Sequence, residues 1–201
     1  AGFMWQEVKR IIKDVELEAT VRIFAPLGYG AEVMQVKIVN KGKDARKISV
    51  TPAIPLYGRS ADNLRDHRHV TSLLHRIKTS ENGVICKPVL SFDERGHQKN
   101  NMIYYVAGST ENGENPVSFF PTVASFIGES GTFLAPEALA KNQKGCGAGK
   151  EFAGEEALGA MTFAEIMLAP GQAQEYIVVS GMTESEEEIT RTAVLNSYVV
   201  C

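Results

Sequence analysis

Two imidazoles stand two residues apart in the stretch RDHRH, so that Arg65, His67, Arg68 and His69 fall within five positions. On a strand, His67 and His69 would share a face and could ligate a metal or exchange a proton through their tautomers. No cluster of Cys, Asp or Glu elsewhere supplies a third and fourth ligand, and Arg65, Arg68 and Arg76 oppose a cation. The segment therefore reads as a donor-rich loop at a strand end, suited to sugar hydroxyls or a phosphate, with no metal and no cofactor expected.

Three other patterns are weaker. KGCGAGK, residues 144–150, has the look of a phosphate loop, but three residues instead of four separate Gly145 from Gly149, and Glu151 stands where a Ser or Thr would hold magnesium. A glycine-rich surface loop is the reading. No G-x-S-x-G elbow appears, so a serine nucleophile finds no support. Carboxylates are plentiful, yet many sit in charge runs such as ESEEE and GEE, the pattern of a solvated face or a helix N-terminus. The aromatics Trp5, Tyr57, Tyr104, Tyr105, Phe119 and Phe120 could stack on sugar rings, although IYY and SFF lie in strand-like sequence whose alternate residues point inward. No residue is assigned a catalytic role.

The elements that would carry these residues are strands. From Asp14 to Phe24 apolar and polar residues alternate, with Val15, Leu17, Ala19, Val21 and Ile23 on one face. VMQVKIVN alternates again, and KISVTPAIPLYG reads as a third strand whose far half, with Pro52 and Pro55, is an edge or leaves the sheet. These three predict an antiparallel meander. HVTSLLHRIKTS, GVICKPVLSF and NMIYYVAG predict further strands, and MTFAEIMLAPGQAQEYIVVSGM two more around the turn at Ala169, Pro170 and Gly171. SFIGESGTFLAPEAL is too glycine-marked for a helix and too apolar for an exposed loop. Only ESEEEITRTAVLNSYV has a helical period. Eight to ten strands with one C-terminal helix predict a mainly β protein, a large antiparallel β-sandwich spanning residues 1–201 as one domain.

Composition narrows the class. With 201 residues, 44% hydrophobic and 22% charged, the chain is long enough for a real core. A net charge of −3 offers no electrostatic attraction for nucleic acid or an anionic membrane. No run approaches the roughly 18 apolar residues that span a bilayer, and Cys86, Cys146 and Cys201 lack metal-ligand spacing and read as reduced thiols, so the cytoplasm is the expected compartment. The opening Ala1-Gly2-Phe3 and the closing NSYVVC suggest a piece of a longer polypeptide. The apolar residues Val194, Leu195, Tyr198, Val199 and Val200 predict an exposed patch and self-association into a homodimer.

Several stretches taken together resemble the N-terminal β-sandwich of glycoside phosphorylases of the cellobiose phosphorylase class, glycoside hydrolase family 94. FIGESGTFLAP, Phe126 to Pro136, is similar to that sandwich's Phe-Leu/Ile-Gly-Arg-x-Gly-Ser/Thr segment and its following Pro, with Glu129 where an Arg is common. LAPGQAQEYIVVSGMTESEEE resembles the family's Leu-x-Pro-Gly-Glu turn, strand and Glu-rich helix, with Gln172 in the Glu place. HRHVTSLL and SFDERGH look like the branch acting on β-1,2-linked oligoglucans.

The resemblance implies a supersandwich of the galactose-mutarotase-like kind. It also implies a parent enzyme that cleaves a β-glucan with phosphate and inverts the anomeric carbon. Its general acid would lie on a catalytic helical-barrel domain outside this chain. The partners so implied are an oligosaccharide and that barrel. A free-standing carbohydrate-binding module is the alternative, and a sugar epimerase or lyase on a similar sandwich is a third reading.

Overall fold

A computed structural model describes residues 2, 4–58, 68–93 and 96–189. Fifteen strands lie among them, more than the eight to ten expected, because several are only three or four residues long. In chain order they are β1 (Trp5–Ile12), β2 (Leu17–Phe24), β3 (Ala31–Asn40), β4 (Arg46–Ile48), β5 (Ala53–Pro55), β6 (His75–Thr79), β7 (Gly83–Pro88) and β8 (Leu90–Asp93). There follow β9 (Gly96–Lys99), β10 (Ile103–Thr110), β11 (Ser118–Thr122), β12 (Glu151–Ala153), β13 (Ala157–Thr162), β14 (Ile166–Leu168) and β15 (Ala173–Thr183). Three short helices join them: α1 (Arg68–Leu73), α2 (Val123–Ile127) and α3 (Glu137–Ala140).

Eight strands form one antiparallel sheet in the order β1-β2-β3-β15-β10-β7-β6-β12, and β11-β13-β5 form a smaller sheet. The mainly β sandwich is thus observed. Between the sheets lies the main core, where Ile77, Val84, Cys86, Val106 and Val178 of the large sheet meet Phe119, Ala157 and Met161 of the small one. The sheets approach closely at Gly159, where a Cβ would stand 2.3 Å from Val106. The other face of the small sheet is covered by α2 and α3, with Phe120, Leu158 and Ala160 packed among Val123, Phe126 and Ala138. Both of its faces are therefore dry, and β11 is buried at every position. On the far face of the large sheet Ile85, Ile103, Tyr105 and Val179 gather with Ile189, the last described residue and helical like 186–188. The rest of the expected C-terminal helix, its apolar tail and Cys201 lie outside the described residues. Cys86 and Cys146 are free thiols, and burial pushes Cys86 up to about 12, which keeps it an inert core group.

The structure corrects four expectations. The meander exists but is β1-β2-β3, since Trp5–Ile12 supplies its first strand. Every residue of β1 is exposed, so burial imposes no alternation for sequence to show. Residues 47–58 do not continue it. They split into β4, paired with β14, and β5, paired with β13, while β3 pairs with β15 instead. Third, the alternation from Asp14 overshoots. Residues 13–15 form a 3₁₀ turn closed by Glu16 at φ 53°, and β2 begins at Leu17. Fourth, HVTSLL is helical, and strand geometry starts only at His75, where His75, Ile77 and Thr79 are buried and Arg76 and Lys78 exposed. A short apolar run has no period long enough to separate helix from buried strand.

The glycine-marked segment 125–139 is also helical at its two ends. Thr122 caps α2, accepting a hydrogen bond from Ser125 N while Ser125 Oγ accepts one from Thr122 N. Gly128, at φ 70°, terminates the helix, so the glycines bound the helices without interrupting them. In the later turn, Gln172 Oε1 accepts from Ala169 N at 2.8 Å and so closes the turn.

Candidate functional site

A cleft opens where the ends of the two sheets meet. The chain leaves β5 through Leu56, Tyr57 and Gly58, and Leu56 N donates to Ala157 O on β13 at 3.0 Å. It returns through α1, whose Thr71 and Ser72 line the cleft together with His75 at the start of β6. Val123, Phe133, Glu156 and Ala157 complete the wall, enclosing about 390 Å³ of empty space open to solvent.

Each wall is held by identifiable bonds. Phe133 rides on a turn clamped by Thr132 N to Ala135 O and by Ala135 N to Thr132 O. That turn is anchored by Glu137, whose Oε1 accepts from Ser130 N at 3.1 Å and whose Oε2 accepts from Lys141 Nζ at 2.7 Å. Lys141, and then the Ser130 amide, hold the Glu137 carboxyl below its usual range. Tyr57 and Phe133 are about half exposed, so apolar ring surface faces the solvent at the cleft mouth.

His75 is only 4% exposed. Its Nδ1 lies 3.1 Å from the carbonyl oxygen of Glu155, which can only accept. The proton is therefore assigned to Nδ1, and Nε2 presents a lone pair. That Nε2 is buried and has no protein partner among the described residues. Burial pulls the pKa of His75 below its ordinary value, against smaller opposing effects of the Glu155 carbonyl and the Glu156 charge, so the ring stays neutral near pH 7. A Cβ at Gly58 would lie 3.3 Å from Nε2 and 2.9 Å from Pro88 Cγ, so the chain packs against His75 and Pro88 too closely there for a larger residue.

Sequence reasoning puts the contact residues at Arg65, His67, Arg68 and His69. Arg65 and His67 lie outside the described residues. Arg68 and His69 form the first turn of α1, with only their backbone described. Because the chain is helical from Arg68 onward, the strand that would have put two imidazoles on one face is absent there. Among the described residues no group of three or more His, Cys, Asp or Glu could hold a metal ion. Sequence reasoning missed His75, which looked like one more polar residue of a strand. Its signal was the period-two pattern His75, Ile77, Thr79, which places an imidazole on the buried face.

The loop KGCGAGK is no anion cradle. Cys146 bridges to Phe119 through two backbone hydrogen bonds of 2.9 Å. Thr79 Oγ1 donates to Gly147 O at 2.9 Å and accepts from Lys150 N at 2.9 Å, so these loop groups are committed to strand β6.

A two-sheet sandwich with a cleft at its sheet ends defines a supersandwich domain. Residues 7–197 match the family described as glycosyl hydrolase 94, supersandwich domain, and the chain belongs to that family. Solved structures with similar folds include a polysaccharide lyase, 10% identical with a TM-score of 0.51, in which the match covers 93% of this chain and 23% of that one. A putative kojibiose phosphorylase from the human microbiome is 6% identical with a TM-score of 0.43, over 96% of this chain and 20% of that one. A putative aldose 1-epimerase from Escherichia coli K12 is 10% identical with a TM-score of 0.41, over 89% and 64%. The chain thus spans less than a quarter of the first two proteins it matches. No curated protein matches the sequence.

Proposed function

We propose that this chain is the non-catalytic N-terminal sandwich of an inverting glycoside phosphorylase acting on β-glucans, and that its cleft contributes an edge to substrate binding. The family match over residues 7–197 carries the reading. In such an enzyme a phosphate oxygen forms a bond to the anomeric carbon as the glycosidic bond breaks, and one carboxylic acid on the catalytic barrel protonates the leaving oxygen. The sandwich then has to supply surface and positioning but no reacting group. The β-1,2 linkage is the finer part of the proposal and rests on the HRHVTSLL and SFDERGH stretches. A reducing, cytoplasmic setting belongs to the same reading and is supported by the free thiols Cys86 and Cys146.

The test is phosphorolysis. The isolated chain with inorganic phosphate and β-1,2-linked oligoglucans is expected to release no glucose 1-phosphate, whereas the full-length parent releases the α-anomer. Glucose 1-phosphate from the isolated chain, or a parent inert toward every β-glucan, would overturn the proposal. One observation favours a second reading, a free-standing carbohydrate-binding module: Tyr57 and Phe133 present exposed rings beside buried polar groups. Glucan binding by the chain combined with a gene that encodes no barrel would select it.

A further inference from the structure

We infer that the outer edge of β1 is a pairing site for a second copy of this chain. The two β1 strands meet antiparallel about a two-fold axis at Val8 and join two eight-stranded sheets into one. The inference is independent of the carbohydrate reading above, since β1 lies at the opposite end of the sheet from β6 and the cleft.

β1 ends the large sheet, pairs with β2 alone among the named strands, and is exposed at every position. Such an edge presents a row of open backbone groups that another strand can complete. The start of the chain shows which groups these are. Gly2 N donates to Trp5 O at 3.0 Å and Trp5 N donates to Gly2 O at 3.5 Å, so both groups of Trp5 are used outside the ladder with β2. In an antiparallel strand the two groups of one residue point to the same side and alternate residues to opposite sides. Glu7, Lys9 and Ile11 therefore point outward with Trp5, whereas Gln6, Val8 and Arg10 bond β2. Gly2 already stands where a further strand would run.

The side chains select the partner. With the axis at Val8, Glu7 lies opposite Lys9 of the second copy, Gln6 opposite its Arg10, and Trp5 opposite its Ile11. Opposite charges and aromatic–aliphatic pairs directly across a ladder are favourable, and like charges are not. Moving the axis to Glu7 or to Lys9 would bring two carboxylates or two ammonium groups face to face. Edge charges repel most strands; here they admit one carrying WQEVKRII in reverse.

Both faces of the joined sheet continue what each copy has built. On one face Arg22 with Glu7 at 3.0 Å and Lys9 with Glu18 at 2.9 Å run on across the axis as a row of alternating sign. On the other, Val36, Val21 and Val8 stand in one row by register, and the half-exposed Val8 meets its own copy. That pair is not hydrogen-bonded, so its Cα atoms approach to about 4.5 Å. Little surface is covered, which places the contact in the small, transient class that forms at high protein concentration.

The experiment is sedimentation equilibrium over rising concentration, with each variant checked for a native fold by circular dichroism. The unaltered chain is expected to dimerise reversibly. Lys9→Glu and Glu7→Lys, each placing like charges across the axis twice, are expected to weaken self-association about tenfold. An equimolar mixture of the two variants is expected to restore it, because every introduced charge then faces its opposite on the other chain. Register is read by cross-linking. Under mild oxidation Val8→Cys is expected to form a disulfide dimer above the level of the unaltered chain, since about 4.5 Å lies within the Cα range of a disulfide, while Glu7→Cys, which faces Lys9, is not. A chain monomeric up to about 1 mM, a dimer that both charge reversals leave intact, a mixture no tighter than its separate components, or a Glu7→Cys chain that cross-links as well as Val8→Cys would overturn the inference.

Discussion

The two ends of the eight-stranded sheet are built on opposite principles. At one end β1 is exposed at all eight positions, and its outer face is laced by ion pairs: Glu7 with Arg22 at 3.0 Å and Lys9 with Glu18 at 2.9 Å. Trp5 receives the Arg22 guanidinium 5.3 Å from its ring centre. At the other end β6 buries His75, Ile77 and Thr79, two of them polar, and the three-residue β12 seals the edge. The hairpin end is held by local pairing and screened charges, whereas the cleft end is held by packing and buried polar bonds. Buried polar groups at low dielectric demand partners, so binding capacity collects where one of them lacks a partner.

The contrast can be broken by substitution. Ile77→Ala, at the buried end, is expected to destabilise by about 2–5 kcal/mol, because it opens a cavity against the main core. Urea unfolding at constant m-value would measure it, and a loss comparable to that of an exposed site would refute the division. Thr79→Val comes next. It removes the donor to Gly147 and the acceptor for Lys150 N, both part-buried, and about 0.5–1.5 kcal/mol is expected.

His75 sharpens the contrast through pH. Its folded pKa lies below the ordinary 6.5 because of desolvation, opposed by the Glu155 carbonyl and by Glu156. The unfolded state therefore binds the extra proton first. Stability from this group is full above about pH 6.5 and falls as pH drops below that value towards the folded pKa. His75→Gln is expected to flatten that part of the stability profile, and an unchanged slope would show that the ring is not the group responsible.

At the hairpin end the effects shrink. A double-mutant cycle on Glu7 and Arg22 is expected to give about 0.2–1 kcal/mol, falling with added salt. Ile11→Ala, at a residue 61% exposed, should stay within about 0.5 kcal/mol. A large loss there would mean that another surface covers β1 in solution.

Legibility in the sequence followed the same division. LEATVRIF and Ala31–Asn40 were legible from the alternation of apolar and polar residues along each run. The turn at Ala169 to Gly171 announced itself through Pro and Gly. By contrast, ALGAMT of β13 shows no alternation, since both faces of the small sheet are covered. Arg68 to Leu73 could not be separated from a strand on so short a run. Of the candidate cleft, His75 was not legible, because a single imidazole in a period-two run looks the same whether or not its nitrogens find partners.

By itself, the sequence determined a mainly β chain with a buried core, the strands β2 and β3, and the family signature in FIGESGTFLAP and LAPGQ. These are local properties, set by side-chain period and turn chemistry within a few residues. Tertiary structure alone decided that β3 pairs with β15, some 140 positions away along the chain, and that residues near 56, 72, 123, 133 and 156 enclose one cleft. It also decided that His75 has a carbonyl on one nitrogen and none on the other. Strand partners and cleft walls are selected by the summed burial and closure entropy of distant segments, and no local window of sequence contains that sum.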